Sequence, residues 1–210
     1  MKGKIISKNQ LQRLPFYLSY LKNKYNEGVE YISSPQIAAG LGLSEEQVRK
    51  DLALISRSCG KPKMGRSVET LILDLEEYLG YRNTNKAIIV GAGHLGCALL
   101  AYQGFAKYGL DIVAAFDNRE DLPESISGVP IYPLEQMSEV VTKLNVSIGI
   151  ITVPAGAAQS AADGLIAAGV KGIWNFTPIC LHTPERVKVR HEDLASSLAV
   201  LSHSIVTGNL

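Results

Sequence analysis

The sequence predicts a two-part α/β chain, a small helical module followed by a doubly wound parallel sheet. Three observations predict it. Charge is divided unevenly: residues 1–68 carry twelve basic and five acidic side chains, a net of +7, and the rest carry nine against fifteen, a net of −6. A glycine pattern, Gly91-Ala92-Gly93-His94-Leu95-Gly96, follows the short apolar run Ala87-Ile88-Ile89-Val90 without a break. Beyond it, apolar runs alternate with helical segments to about residue 178, as they do when helices join parallel strands. The charge asymmetry points to two modules with different partners.

Composition excludes several classes. With 210 residues, 46% hydrophobic and 20% charged, the chain suits one or two domains with real cores and is too apolar for disorder. No apolar run reaches the roughly 18–20 residues of a membrane helix. The nearest, Ala87 to Tyr102, is cut by Gly91, Gly93, His94 and Gly96. The opening Met-Lys-Gly-Lys lacks the apolar segment of a secretion signal. Cys59, Cys97 and Cys180 are scattered and suggest neither a disulfide framework nor a zinc site. A cytoplasmic protein without a membrane partner is expected.

In the first module, Ser7-Lys8-Asn9-Gln10 has the pattern of a capping box, so a helix can start there. Pro15 implies a kink or a fresh start. Leu14, Leu18, Leu21 and Tyr25 keep helical spacing. Ser34-Pro35 reads as N-cap and first residue of a short helix through Leu41, which Gly42 ends. Ser44-Glu45-Glu46-Gln47 reads as a second capping box, and Val48, Leu52 and Ile55 share one face of the helix that follows. This is a helix-turn-helix. Gln47, Arg49 and Lys50 fall off the apolar face, and such residues suit a major groove, where Arg reads guanine and Gln reads adenine. Lys61, Lys63 and Arg66 in a Gly/Pro-rich turn read as a wing laid along phosphates or into a minor groove. Ser67 then caps a helix whose buried stripe is Val68, Leu71, Ile72, Leu75 and Leu79. Double-stranded DNA is the expected partner, and the +7 charge supplies its salt-sensitive component.

In the second module, Lys86–Val90 predicts a strand and Cys97–Phe105 a helix, so the G-x-G-x-x-G lies between strand and helix as a dinucleotide turn requires. The first glycine permits the tight turn, the second lets backbone approach a pyrophosphate, and the third lets helix pack on strand. A second strand, Ile112–Phe116, ends at Asp117, 21 residues after Gly96. A carboxylate there accepts the ribose hydroxyls of NAD. Its charge repels a 2′-phosphate, an argument against NADP that nearby Arg119 weakens. Helix is expected over 133–144 and 155–168, strand over 147–153 and 172–175. Ligands lie beyond the carboxyl ends of such strands, which puts Thr152, Val153, Pro154 and Asn175 near the nicotinamide end. Both segments read equally well as ordinary strand-ending turns. A last helix over 190–206 carries Leu194, Leu198, Leu201 and Ile205 as a stripe, better suited to a dimer element than to a cover for its own domain.

An oxidoreductase would need a substrate domain and a proton donor near the nicotinamide. The sheet takes up nearly all of residues 86–178, and Tyr20 with Lys24 matches Y-x-x-x-K only inside the basic module. An NAD-dependent oxidoreductase with a basic accessory domain is therefore the second reading, and a CoA-binding module the third. The CoA reading lacks the following domain with a phosphorylatable His.

Arg13-Leu14-Pro15, Gln47-Val48-Arg49-Lys50-Asp51-Leu52, the glycine turn, Ala101-Tyr102-Gln103-Gly104-Phe105, Thr152-Val153-Pro154, Lys171-Gly172-Ile173 and Asn175-Phe176-Thr177-Pro178 occur in that order. With them the chain closely resembles the bacterial redox-sensing transcriptional repressors of the Rex family, over essentially its full length. The resemblance implies a homodimer of N-terminal winged helices and Rossmann domains with a swapped last helix. It implies a non-enzymatic repressor that binds operator DNA when NADH is scarce and releases it when NADH binds. It implies that Ser44, Gln47, Arg49, Lys50, Lys61, Lys63 and Arg66 face DNA, and that Arg13, Tyr102 and Asp193 are polar contacts that rearrange between states. The implied domains are 1–80 for DNA, 81–188 for NAD(H) and 189–210 for dimerisation. The chain departs from the family at Ala53-Leu54-Ile55-Ser56, at Lys63-Met64-Gly65-Arg66-Ser67 and at Leu194, where members often have Phe.

Overall fold

In the computed structural model, which describes residues 6–56, 64–81, 85–119, 121 and 123–208, the first helix is α1 (Lys8–Asn26). Its capping box closes as the sequence predicts: Ser7 Oγ accepts from the Gln10 N–H (3.3 Å) and Gln10 Oε1 accepts from the Ser7 N–H (3.0 Å). Pro15 neither ends nor restarts the helix, which runs on through it. The loss of one backbone hydrogen bond there is outweighed by a fully buried stripe, Leu14, Tyr17, Leu18 and Leu21. Tyr25, expected in that stripe, lies in the last turn and is exposed.

The chain divides into two compact units, residues 1–83 and 84–210. In the first, β1 (Tyr31–Ile32) leads to α2 (Ser34–Leu41). The cap of α2 is Ser33, one residue before the expected Ser34, because Gln36 reaches back to it: Gln36 Oε1 accepts from the Ser33 N–H and hydroxyl, both at 2.8 Å. Gly42 ends the helix at φ +65°. Next come α3 (Glu45–Ile55), capped by Ser44, and β2 (Arg66–Ser67), antiparallel to β1. Gly65 stands at φ +87° where a Cβ would overlap the Ile32 carbonyl, so only glycine lets the two strands meet. The unit closes with α4 (Val68–Leu79), and Ile37, Val48, Leu52, Val68, Leu71 and Leu75 join the α1 stripe in one core.

The second unit is a seven-stranded sheet in the order β5-β6-β4-β3-β7-β8-β9. The strands are β3 (Asn85–Val90), β4 (Leu110–Phe116), β5 (Ser125–Ile126), β6 (Val129–Tyr132), β7 (Ile148–Ile151), β8 (Gly172–Asn175) and β9 (Lys188–His191). All neighbours are parallel except β5 and β6. That antiparallel pair was not expected. It forms at Ser127-Gly128, where both residues have positive φ (53° and 81°), the conformation a tight two-residue hairpin needs. The helices are α5 (His94–Ala101), α6 (Met137–Leu144), α7 (Ala158–Ala167) and α8 (Leu194–Thr207). Helix α5 stops at Ala101 and residues 103–108 form a 3₁₀ segment, so the helix expected through Phe105 is two pieces.

The expected terminal helix also starts later. Arg190 and His191 belong to β9, paired with Trp174 and Asn175, and the helix begins only after Asp193, whose carboxylate accepts from the Ser196 N–H at 2.9 Å. Strand alternation sends Ile88, Val90, Phe116 and Ile151 into a large core under α6 and α7, and Ala87, Ile89, Ala115 and Ile150 into a thinner one against α5. On α8 the expected stripe is open to solvent: Leu194 is 63% exposed, Leu198 67%, Leu201 48% and Ile205 76%.

Candidate functional site

Strand order reverses at β3: the chain moves outward through β4 to β6, then returns to lay β7 on the other side. At such a switch point the loops after neighbouring strands diverge and leave a crevice. Here those loops are the glycine turn after β3 and Thr152-Val153-Pro154 after β7. The Gly91 N–H donates to the Phe116 carbonyl (2.8 Å) and the Thr152 N–H to the Val90 carbonyl (2.9 Å), so β3, β4 and β7 end at one level. The Thr152 hydroxyl donates to the Gly91 carbonyl at 2.6 Å and pins the turn.

Two of the three glycines are required by the fold itself. Gly91 has φ +101°, and a Cβ there would press on the Thr152 backbone at 2.9 Å. A Cβ on Gly96 would overlap the Gly91 carbonyl, so α5 could not pack against the turn. Gly93 has nothing within 4 Å of its missing Cβ: this is open space beside the N-terminus of α5, where a pyrophosphate would pass. His94 opens that helix and is exposed; Ala92 is buried and Leu95 half-buried. A cavity of about 440 Å³ adjoins the turn, lined by Val90, Gly91, Gly93 and Phe116, by Asp117 to Arg119, and by Leu134, Thr152, Val153, Pro154 and Ala157. That volume is within the range of small-molecule sites.

Asp117 stands at the cavity's edge. Its Oδ2 accepts from the Ala92 N–H (2.7 Å), and its Oδ1 accepts from the Arg119 N–H (3.0 Å) and Nε (3.2 Å). Burial pushes its pKa up, but the hydrogen bonds from Arg119 and Ala92 outweigh burial and hold the carboxyl below its ordinary value. The site thus holds a carboxylate that is ionised at neutral pH.

Asn175 is fully buried, and its amide is committed within the chain. Its Oδ1 accepts from the Thr177 N–H (3.0 Å) and hydroxyl (2.8 Å), and its Nδ2 donates to the Ile179 carbonyl (2.9 Å) and faces His191 Nδ1 (3.0 Å). It therefore fixes the turn after β8. Nearby runs an aromatic chain: Tyr102 against Phe105 (5.0 Å between ring centroids), Phe105 against Trp174 (6.0 Å) and Trp174 against Phe176 (4.4 Å). Tyr102 is 58% exposed, and the buried Nε1 of Trp174 has no hydrogen-bond partner among the described residues.

In the first unit, Ser44 Oγ accepts from the Gln47 N–H (3.3 Å) and starts α3. Val48, Leu52 and Ile55 are buried, and Arg49 and Lys50 project from the helix, both exposed, each paired one turn back with Glu45 or Glu46. Gln47 is half-buried. Arg66 Nη1 donates to the Leu52 carbonyl (3.4 Å), which ties the wing strand to the end of α3. Lys61 and Lys63 lie outside the described residues.

One central residue was missed as a site. Asp51 is buried, and among the described residues its side-chain donors come from α1: Gln10 Nε2 (3.1 Å), Arg13 Nε (2.8 Å) and Nη2 (3.0 Å), and Tyr17 Oη (2.8 Å). Burial works to raise its pKa, and those hydrogen bonds more than reverse it. Tyr17, buried and bound to the same carboxylate, is pushed up to about 12. A signal existed: positions 48, 51, 52 and 55 share one helical face, so a carboxylate stood in an apolar stripe and required donors. Of the expected rearranging contacts, Arg13 is held by Asp51, Asp193 caps α8, and Tyr102 packs on Phe105.

Comparison with known proteins follows the same division. Residues 82–179 match the family model "CoA binding domain" and residues 5–53 match "Putative DNA-binding protein N-terminus". The chain is 42% identical over 201 residues to the redox-sensing transcriptional repressor Rex of Treponema denticola, covering 95% of each chain. It is 43% identical over 206 residues to that of Carboxydothermus hydrogenoformans, covering 98% of this chain and 99% of the relative. The crystal structure of RSP in complex with β-NAD⁺ and operator DNA matches with a TM-score of 0.91 at 34% identity, over 96% of this chain and 93% of that one. RSP in complex with β-NADH matches with a TM-score of 0.85 at 33% identity, over 96% and 95%. A glycine cradle with an acidic strand end occurs in many nucleotide-binding sheets, but kinship over 95–98% of the chain, both units together, selects among them: the chain belongs to the Rex family of redox-sensing transcriptional repressors.

Proposed function

We propose that the chain is a transcriptional repressor that reads the NADH/NAD⁺ balance, holding operator DNA when NADH is scarce and releasing it when NADH binds. The observation that carries this reading is the glycine cradle with its ionised Asp117 in the same polypeptide as a helix-turn-helix whose α3 presents Arg49 and Lys50 outward. It is supported by the relatives' name and by the RSP complexes with β-NAD⁺ and operator DNA and with β-NADH.

The coenzyme supplies a nicotinamide ring that is cationic when oxidised and neutral when reduced. The turn 91–96 would hold the pyrophosphate and Asp117 the adenosine ribose. Thr152, Val153 and Pro154 would shape the wall beyond, with Asn175 fixing the neighbouring turn. A wall rich in apolar side chains favours the neutral ring, because burying an unpaired charge is costly. On the DNA side, Ser44, Gln47, Arg49 and Lys50 would meet the groove, with Lys61, Lys63 and Arg66 along the wing. Arg13, Tyr102 and Asp193 would exchange partners between states. The domains would be those read from the sequence, 1–80, 81–188 and 189–210.

The reading includes a homodimer in the cytoplasm, joined by the exposed stripe of α8, and no catalysis. Moving a dimer from 1:99 to 99:1 needs about 10⁴-fold differential affinity, roughly 5.5 kcal/mol. Two coenzyme sites on one dimer would share that demand. Reciprocity then requires operator DNA to weaken NADH binding by the same factor. The test is operator binding by gel shift across NADH/NAD⁺ ratios at fixed total coenzyme. Binding should fall as the ratio rises; an operator affinity indifferent to NADH sinks the proposal. Turnover of NADH with a small carbonyl would favour the oxidoreductase reading instead.

A further inference from the structure

Asp117 does not face the cavity alone. Arg119 donates to it from its N–H and Nε, and the same guanidinium donates from Nη2 to the Ala92 carbonyl at 2.7 Å, across the mouth of the glycine turn. We propose that Arg119 sets how sharply this chain discriminates between NADH and its 2′-phosphorylated counterpart, by supplying a counter-charge beside Asp117. The inference rests on the NADH-binding reading above and deepens it.

A carboxylate offers about four acceptor positions. Two on Asp117 are taken by backbone, the Ala92 N–H and the Arg119 N–H, which stay whatever the arginine side chain does. The others carry the Arg119 side chain, through Nε at 3.2 Å and Nη2 at a long 3.4 Å. A ribose that donates its hydroxyls to Asp117 competes for these last positions alone. The Arg119 side chain is 48% exposed against 13% for Asp117, so the arginine is the partner that can turn aside. Once displaced it remains tethered two residues from Asp117, where a 2′-phosphate on a ribose held by that carboxylate would come within its reach. Asp117 and Arg119 are the charged side chains of the cavity lining among the described residues.

The two therefore act on a 2′-phosphate in opposite senses. Asp117 alone repels it. Arg119 is always protonated, and its planar fork matches phosphate oxygens. The expected outcome is a chain that prefers NADH but still binds NADPH measurably.

The test is titration of the full-length protein with NADH and with NADPH, read by calorimetry or nicotinamide fluorescence, for the wild type and for Arg119→Gln, Arg119→Lys and Asp117→Asn. Arg119→Gln should weaken NADPH about ten- to a hundredfold, the usual worth of a hydrogen bond to a charged group. It should tighten NADH slightly by leaving the carboxylate uncontested. Arg119→Lys, which keeps the charge, should recover most of the NADPH binding. Asp117→Asn should weaken NADH and move the ratio toward NADPH. Equal loss of both coenzymes in Arg119→Gln would mean that Arg119 only braces the turn through Ala92, and would overturn the inference, as would a wild type with no measurable NADPH binding. A wild type that binds neither coenzyme would overturn the functional reading with it.

Discussion

Asp51 and Asp117 are both carboxylates that burial disfavours and hydrogen bonds rescue, but Asp51 is the more deeply committed. At 1% exposure against 21% for Arg13, it relies on Arg13, Tyr17 and Gln10 for the solvation it has lost. Removing a partner of such a pair costs several kcal/mol because the remaining charge stays uncompensated. Asp51→Ala should therefore destabilise the first unit by about 3 kcal/mol, toward the low end of that range because Arg13 keeps some access to water. The sign of its pH dependence follows from its depressed pKa. Its contribution is complete above the ordinary carboxylate pKa of about 4 and is lost as pH falls through the lower folded value. Urea denaturation at pH 7 and near pH 3 should show a smaller acid penalty in Asp51→Asn than in the wild type. Equal acid penalties would remove Asp51 from this role.

Among elements, α3 buries Val48, Leu52 and Ile55 on one face and presents Arg49 and Lys50, the proposed DNA contacts, off it. Its outer cations are paired one turn back, Arg49 with Glu45 and Lys50 with Glu46 (2.7 Å), at positions open to water. Exposed pairs of this spacing are screened by water and contribute little, so on the proposed reading DNA phosphates would take the cations from their glutamates at little cost. Glu46→Gln should raise non-specific affinity for duplex DNA a few-fold at low salt, read by fluorescence anisotropy, with the melting temperature nearly unchanged. A loss of affinity would contradict an outward-facing Lys50. This scale also separates what the sequence disclosed from what it hid. The cap at Ser7, the break at Gly42 and the glycine turn depend on local chemistry and were legible. The cap of α2 was misplaced by one residue because Ser33 and Ser34 compete and only Gln36, three residues on, decides between them. Strand β9 was hidden because Lys188-Val189-Arg190-His191 is mostly polar, and its place is set by parallel pairing to β8 across an irregular connection rather than by a pattern of its own. The site divides likewise: Asp117 announced itself by spacing, whereas Asp51 is defined by donors some 40 residues earlier on α1.

For the whole molecule, the unusual surface is α8. A monomeric protein rarely leaves a contiguous apolar face uncovered, yet the stripe of Leu194, Leu198, Leu201 and Ile205 is 48–76% exposed. If α8 joins a dimer as proposed, replacing Leu198 and Ile205 with Glu should convert it to a monomer in sedimentation velocity. The far-ultraviolet spectrum should keep its shape, because in their own chain these side chains cover little. An unchanged sedimentation coefficient would locate the dimer contact elsewhere.

Trp174 has a consequence of an optical kind. It is the single tryptophan of the 210 residues, so every photon of indole emission originates at one known point on β8. Its ring lies in a file of aromatic neighbours, in the unit that carries the glycine cradle. Indole emission overlaps the absorption of the reduced nicotinamide and not that of the oxidised one. Excitation of Trp174 should therefore be handed to bound NADH, dimming the indole and lighting the coenzyme, while NAD⁺ produces no such transfer. On the proposed reading, the chain would carry a built-in indicator that distinguishes the two redox forms without any added label.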